Sequence, residues 1–154
     1  MKDPILIAID AAKKGMRKGN SPFGCAIIKN GKLISTGNST VLEKNDPTSH
    51  AEINAIRIAC KKLKTFDLSN CTLYSTTEPC PMCFSAIHWA RIKIIYYGTD
   101  ISDVKKLGFS ELVISNHLIK KLGQIKIKII KNYKRKECLD LLKKWKKNKK
   151  RKTY

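Results

Sequence analysis

The sequence predicts an α/β domain in which helices cover both faces of a mixed sheet. Segments with the two-residue period of a strand alternate along the chain with segments of helical period. The length of 154 residues suits one domain, so we expect residues 1–154 to form a single unit. Apolar residues make up 42% of the chain, which is enough for a buried core.

The first part of the chain predicts a helix followed by a β-hairpin. Apolar side chains recur at helical spacing through residues 5–18, and Gly19 ends that pattern. Two short apolar runs, at 24–29 and 32–36, are separated only by Asn30 and Gly31. This dipeptide is typical of the tight turn in a hairpin, so both runs are predicted strands.

The middle of the chain predicts two helices that each begin near a polar loop or a proline. A loop rich in Ser, Thr and Asn precedes a helical pattern from residue 49 to about 63. The strand predicted at 71–75 is interrupted by Pro79, and a helix is predicted from there to residue 90. Residues 93–98 again have the composition of a strand.

The last third predicts short helices, an edge strand and a final helix. Residues 103–120 favour one or two short helices. Isoleucine and lysine alternate over residues 125–129, which indicates an edge strand with its lysines outward. A helix is predicted at 136–149. Its apolar side consists of Leu139, Leu142 and Trp145.

The composition argues against membrane and secreted proteins. No apolar stretch approaches the about 20 residues that a membrane-spanning helix needs. Asp3 and Asp10 interrupt the segment in which a signal peptide would lie. Six cysteines in 154 residues are too sparse for a disulfide framework. We therefore expect a soluble, cytoplasmic protein that does not bind membranes.

The positive charge of the chain is concentrated at its C-terminus. The net charge is +20, and the predicted basic helix and tail at 131–154 hold 12 basic and 2 acidic residues, which is half of it. Such a tail suits binding to the phosphates of a nucleic acid. The alternative is the codon bias of an AT-rich genome, because 27 of the 32 basic residues are Lys and Ile occurs 20 times.

Two cysteines and a histidine form a predicted zinc site. Cys80 and Cys83 lie three residues apart at a predicted helix start, so both sulfur atoms can reach one ion. The positive potential of a helix N-terminus favours thiolates there. His50, also at a predicted helix start, is the natural third ligand. Three protein ligands leave the fourth tetrahedral position for water, as in a catalytic Zn²⁺ site.

Glu52 has a predicted role beside this zinc. A carboxylate two residues from His50 can take a proton from the bound water and deliver it to a substrate. Alone, Cys80 and Cys83 also fit a redox pair or two packed thiols, and a His-x-Glu sequence occurs in many helices. Together, the two motifs form the signature of zinc-dependent nucleobase deaminases. The combined pattern predicts a hydrolytic enzyme with one Zn²⁺ per chain.

Four sequence blocks carry a resemblance to a known family. They are Pro22-Phe23-Gly24, residues 45–52, residues 78–83 and residues 86–91. With these blocks the chain resembles the cytidine deaminase-like superfamily, on the branch of bacterial guanine deaminases and tRNA adenosine deaminases. The Pro22-Phe23-Gly24 block, Pro81, the Trp89-Ala90-Arg91 stretch and the basic ending in a tyrosine are more similar to the guanine deaminases.

The resemblance implies a three-layer α/β/α fold with a mixed central sheet of about five strands. It also implies zinc on His50, Cys80 and Cys83, with Glu52 as the proton shuttle. The substrate-binding residues that it implies are Phe23, Asn38, Ser39, His50, Ala51, Trp89 and Tyr154.

In guanine deaminases of this type the C-terminal segment crosses to the other subunit and closes its site. The resemblance therefore implies a homodimer with exchanged C-terminal segments, in which Tyr154 is the residue delivered. Two positions depart from the family pattern. The asparagine that contacts the base falls at Ser39, with Asn38 beside it, and the assisting catalytic acid is Glu111 where the family has aspartate.

The predicted reaction is the hydrolytic deamination of a small purine, guanine, to xanthine and ammonia. A second enzyme hypothesis is a tRNA adenosine deaminase that forms inosine in an anticodon loop, with the basic tail gripping phosphates. A hypothesis of another class is a basic RNA-binding protein with a purely structural zinc. Glu52 argues against that last hypothesis, because a structural zinc needs no adjacent proton carrier.

Overall fold

A computed structural model describes residues 2–154 of the chain as alternating helices and strands. The strands are β1 (Gly24–Lys29), β2 (Lys32–Asn38), β3 (Cys71–Thr77), β4 (Ile94–Thr99) and β5 (Lys128–Ile130). The helices are α1 (Pro4–Arg17), α2 (Val41–Lys44), α3 (Ala51–Leu63), α4 (Pro81–Trp89), α5 (Ile101–Lys105), α6 (Asn116–Leu122) and α7 (Arg135–Lys146).

The five strands form one mixed sheet in the order β2-β1-β3-β4-β5. The hairpin strand β1 is antiparallel to both β2 and β3, whereas β3, β4 and β5 run parallel. The predicted mixed sheet of about five strands and the α/β class are therefore confirmed. The parallel arrangement brings the C-terminal ends of β3 and β4 together, and an active site in such a sheet commonly lies there.

Helices cover both faces of the sheet. On one face, α1 packs against α7, and on the other, α3 packs against α4. The first turn of α3 lies directly on β2 at Gly37, where a Cβ atom would collide with the carbonyl oxygen of Ala51. A residue without a side chain at this position thus lets the start of α3 approach the sheet closely.

Two elements differ in extent from their predictions, and one helix was not predicted. The edge strand is confirmed but shorter, because Gln124 adopts a left-handed conformation and pairing with β4 begins only at Lys128. The last helix ends at Lys146, and Asn148 caps the following turn by accepting a hydrogen bond from the backbone N–H of Lys150. Helix α2 lies where a loop was expected.

Within residues 2–154, no helix is long and apolar enough to cross a membrane.

Candidate active site

Two helix N-termini meet beyond the ends of the strands and bring the predicted zinc ligands together. His50 immediately precedes α3, Cys80 immediately precedes α4, and Cys83 lies in the first turn of α4. Nδ1 of His50 lies 3.6 Å from Sγ of Cys80 and 3.6 Å from Sγ of Cys83. Both helices start within two residues of their predicted positions.

These distances fit a tetrahedral zinc ion. With bonds of about 2.05 Å to nitrogen and about 2.3 Å to sulfur, a tetrahedral angle separates the two ligand atoms by about 3.6 Å. The three donor atoms all lie within 4.8 Å of one another. His50, Cys80 and Cys83 thus form a site for one zinc with a fourth position left for water.

The thiols of this group have opposite pKa shifts. The hydrogen bond with Cys83 lowers the pKa of Cys80 to about 4, and His50 acts in the same direction. The same hydrogen bond, together with burial, raises the pKa of Cys83. Cys80 is consequently a thiolate at neutral pH, which suits a metal cation and the positive N-terminus of α4.

We expect one tightly bound zinc per chain, measurable by elemental analysis of protein purified without added metal. The Cys80→Ser, Cys83→Ser double variant should retain less than about half an equivalent, because two of three ligands are lost. The Cys60→Ser variant is the control and should keep its zinc, since Cys60 lies outside the ligand group. Full zinc in the double variant would contradict the assignment.

Glu52 lies in the first turn of α3 and is only 4% exposed. The hydroxyl of Ser75 donates a hydrogen bond of 2.8 Å to Oε1 of Glu52. Burial raises the pKa of Glu52, and the negative charge of Cys80 adds to the shift. A buried carboxyl with a raised pKa beside a metal site is a candidate for accepting and releasing a proton.

A narrow cavity lies against Glu52 and the zinc ligands. Its volume is about 20 Å³, enough for about one water molecule. An outer cavity of about 210 Å³ shares His50, Cys80 and Glu111 with the inner one and is also lined by Tyr154. Site residues implied by the resemblance that line the inner cavity are Phe23, His50, Ala51, Glu52, Cys80 and Glu111.

Glu111 lies 59 residues beyond Glu52 in the chain but borders the same cavity. Burial raises the pKa of Glu111 to about 7, and the negative charge of Cys80 contributes to the shift. Two carboxyl groups with raised pKa values therefore face one small space. Such pairs are typical of sites that transfer protons.

The C-terminal residue is held at the mouth of the site by three contacts. The hydroxyl of Tyr154 lies 3.0 Å from Oγ of Ser39, and its ring centre lies 5.9 Å from that of His50. The backbone carbonyl of Tyr154 accepts a hydrogen bond of 3.0 Å from the N–H of Ser110. Tyr154 thus lies at the mouth of the site within this chain, and both its role in closing the site and the exchange of C-terminal segments between subunits stay predictions.

Phe109 connects the tail to the cavity, and sequence analysis did not single it out. Its ring centre lies 5.0 Å from that of Phe23, 5.1 Å from Trp145 and 5.3 Å from Tyr154. Packing between α7, the tail and the cavity wall thus converges on one buried ring.

The structure does not bring Trp89 or Asn38 to the inner cavity. Trp89 is 76% exposed, because it lies in the last turn of α4, about 9 Å along the axis from Cys83. The side chain of Asn38 packs against Gly15 of α1 and donates to the carbonyl of Ser39. Ser39, the first residue after β2, contacts the hydroxyl of Tyr154 instead.

Buried polar residues that the sequence analysis missed support the site. Glu78, at the end of β3, accepts hydrogen bonds from the backbone N–H of Ile101 and of Asn116. The side chain of Asn116 in turn donates to the carbonyl of Pro79, next to Cys80. A polar Ser75 within the buried strand β3 was a sequence signal, whereas the partners of Glu78 lie too far along the chain to be read from spacing.

Known proteins share this site and fold. Residues 2–99 match the family described as "cytidine and deoxycytidylate deaminase zinc-binding region". A guanine deaminase of Bacillus subtilis (strain 168) is 43% identical over 114 residues, which cover 73% of each chain. A tRNA-specific adenosine deaminase of Buchnera aphidicola subsp. Schizaphis graminum is 38% identical over 143 residues, or 93% of this chain and 91% of the relative.

A solved structure agrees over the same elements. The guanine deaminase of Nitrosomonas europaea has a TM-score of 0.85 at 26% identity, covering 93% of this chain and 82% of its own. The matched family region contains all three zinc ligands and Glu52. The chain therefore belongs to the cytidine and deoxycytidylate deaminase family, as a zinc-dependent hydrolytic deaminase.

Proposed function

We propose that the protein deaminates guanine to xanthine and ammonia. The observation that carries this proposal is Tyr154, whose ring and hydroxyl lie at the mouth of the cavity against His50 and Ser39. A cavity whose mouth is covered by the Tyr154 side chain can enclose a free base, whereas a stem-loop would have to displace that side chain. The related Bacillus protein is named a guanine deaminase, and another solved structure of the same fold, with a TM-score of 0.85, is a complex with 8-azaguanine.

Some residues around the cavity bind the metal and the substrate, and others transfer protons. A zinc ion on His50, Cys80 and Cys83 supplies a Lewis acid that makes a water molecule nucleophilic near neutral pH. Phe23 and the ring of His50 flank the purine, and Ala51 lines the cavity beside them.

Two carboxyl groups, those of Glu52 and Glu111, carry out the proton transfers. Glu52 takes a proton from the attacking water and passes it to the substrate, which then releases its amino group as ammonia. The hydroxyl of Ser75 orients the Glu52 carboxylate for both transfers. Glu111 is the second proton carrier on the cavity wall.

Guanine turnover should fall on the acid side of about pH 7. Because the pKa of Glu111 is raised to about 7, its carboxyl is protonated below that pH and no longer accepts a proton. The rate should then drop about tenfold per pH unit. Glu111→Gln should be slow at every pH and lack this acid limb. A wild-type profile that is flat from about pH 6 to pH 8 would contradict the role of Glu111.

A second candidate function is deamination of adenosine in a tRNA anticodon loop. The Buchnera relative with that name aligns over 93% of this chain, and the last 24 residues carry half of the net positive charge. Phosphate contacts by that tail would release counterions, so RNA affinity would fall steeply with salt.

Parallel assays with free guanine and with an anticodon stem-loop distinguish the candidates. We expect xanthine formation with little dependence on salt, because guanine is a neutral base. Inosine formation in the stem-loop without any xanthine would favour the tRNA enzyme. RNA binding without either product would favour the RNA-binding hypothesis with a structural zinc.

A further inference from the structure

The hydroxyl of Tyr154 lies beside a buried serine side chain. Oγ of Ser39 lies 3.0 Å from the hydroxyl of Tyr154, and Ser39 is fully buried just beyond β2. Ser21 is also buried, and its hydroxyl has no hydrogen-bond partner among residues 2–154. Burial raises the pKa of Tyr154 to about 12, while both serine hydroxyls act against that shift, as close neighbours would.

Both the side chain and the backbone N–H of Ser39 form hydrogen bonds. Its backbone N–H donates a hydrogen bond of 3.1 Å to the carbonyl of Phe23, which keeps it beside the cavity wall. Its short side chain meets the phenol of Tyr154, and the described residues that line the inner cavity do not include Ser39. The hydroxyl therefore faces the tail and not the space over Glu52.

We infer that Ser39 is a positioning residue that holds Tyr154 over the active site through the hydrogen bond between the two hydroxyl groups. This inference rests on the proposed function, in which Tyr154 closes the site around guanine. The hydrogen bond joins residues 115 positions apart and connects the end of the hairpin to the end of the chain. The position at which the resemblance implies a base-contacting asparagine thus serves closure in this protein.

Hydrogen exchange at Ser110 tests the contact without any substrate. The backbone N–H of Ser110 donates to the carbonyl of Tyr154, so its protection reports whether the tail is docked. In the zinc-loaded protein, Ser39→Ala should speed exchange at Ser110 by about 2- to 10-fold, the effect of losing one hydrogen bond.

Ser35→Ala is the matched control. Ser35 is a buried serine of β2 whose hydroxyl donates to the carbonyl of Ala55, remote from the tail. It should leave exchange at Ser110 unchanged. Exchange at Ser110 that is also unchanged in Ser39→Ala would overturn the inference.

A double-mutant cycle separates tail positioning from contact with the base. If Ser39 acts through the tyrosine hydroxyl, Ser39→Ala should lower kcat/KM for guanine in the wild-type background and have no further effect beside Tyr154→Phe. Equal losses in both backgrounds would show a direct base contact and overturn the inference. If guanine is not turned over but Ser110 still responds to Ser39→Ala, the proposed substrate is wrong while the contact between Ser39 and the tail stands.

Discussion

Glu52→Gln is expected to lose nearly all deaminase turnover while the protein keeps its fold and its zinc. The amide occupies almost the same volume and still accepts the hydrogen bond from Ser75, but it cannot accept and release a proton. General acid–base catalysis contributes about 10²–10⁴-fold, and Glu52 serves more than one transfer, so the loss should reach at least that range. The measurement is kcat with guanine, together with zinc content and thermal unfolding.

The control for this prediction is Glu137→Gln, the same substitution on the exposed side of α7. Glu137 forms an ion pair with Lys134 at 3.7 Å, and a surface ion pair contributes little to stability. This variant should turn over guanine as the wild type does. A Glu52→Gln protein with a near wild-type rate would refute proton transfer through Glu52.

Deletion of Thr153 and Tyr154 should reduce guanine turnover by about 10²-fold, the scale expected when a reacting group loses its positioning and its shield from water. The deletion removes the contacts with His50, Ser39 and Ser110 at the mouth of the cavity. It leaves the basic residues of the tail in place, so any RNA affinity should be unchanged. Turnover and RNA binding are measured on the same preparations.

The reverse control removes tail charge and keeps the tyrosine. Lys150→Gln together with Lys152→Gln alters two exposed basic residues between α7 and Tyr154. This variant should deaminate guanine normally and lose part of any RNA affinity. Normal guanine turnover in the deletion variant would show that the tail does not close the site.

The parts of the protein that the sequence predicted well depend on neighbours in the chain. The hairpin turn at Asn30 and Gly31, the approximate starts of α3 and α4, and the pair of cysteine ligands all follow from short spacings. Cys80 and Cys83 share one turn of helix wherever that helix lies, so their sulfur atoms must approach one another. The role predicted for Glu52 rests in the same way on its distance of two residues to His50, and it stays a prediction.

The residues at the mouth of the cavity are placed by contacts between distant parts of the chain, which no local sequence pattern specifies. The way the chain leaves β2 places Ser39 and not Asn38 against Tyr154, and the extent of α4 leaves Trp89 on the surface. Phe109 and Glu78 act through partners that are distant in the chain. Local patterns thus predicted the cysteine ligands and the carboxyl group beside the metal site, whereas long-range packing of the tail decided which side chains lie at the mouth of the cavity, because such contacts form only once the helices and strands are assembled.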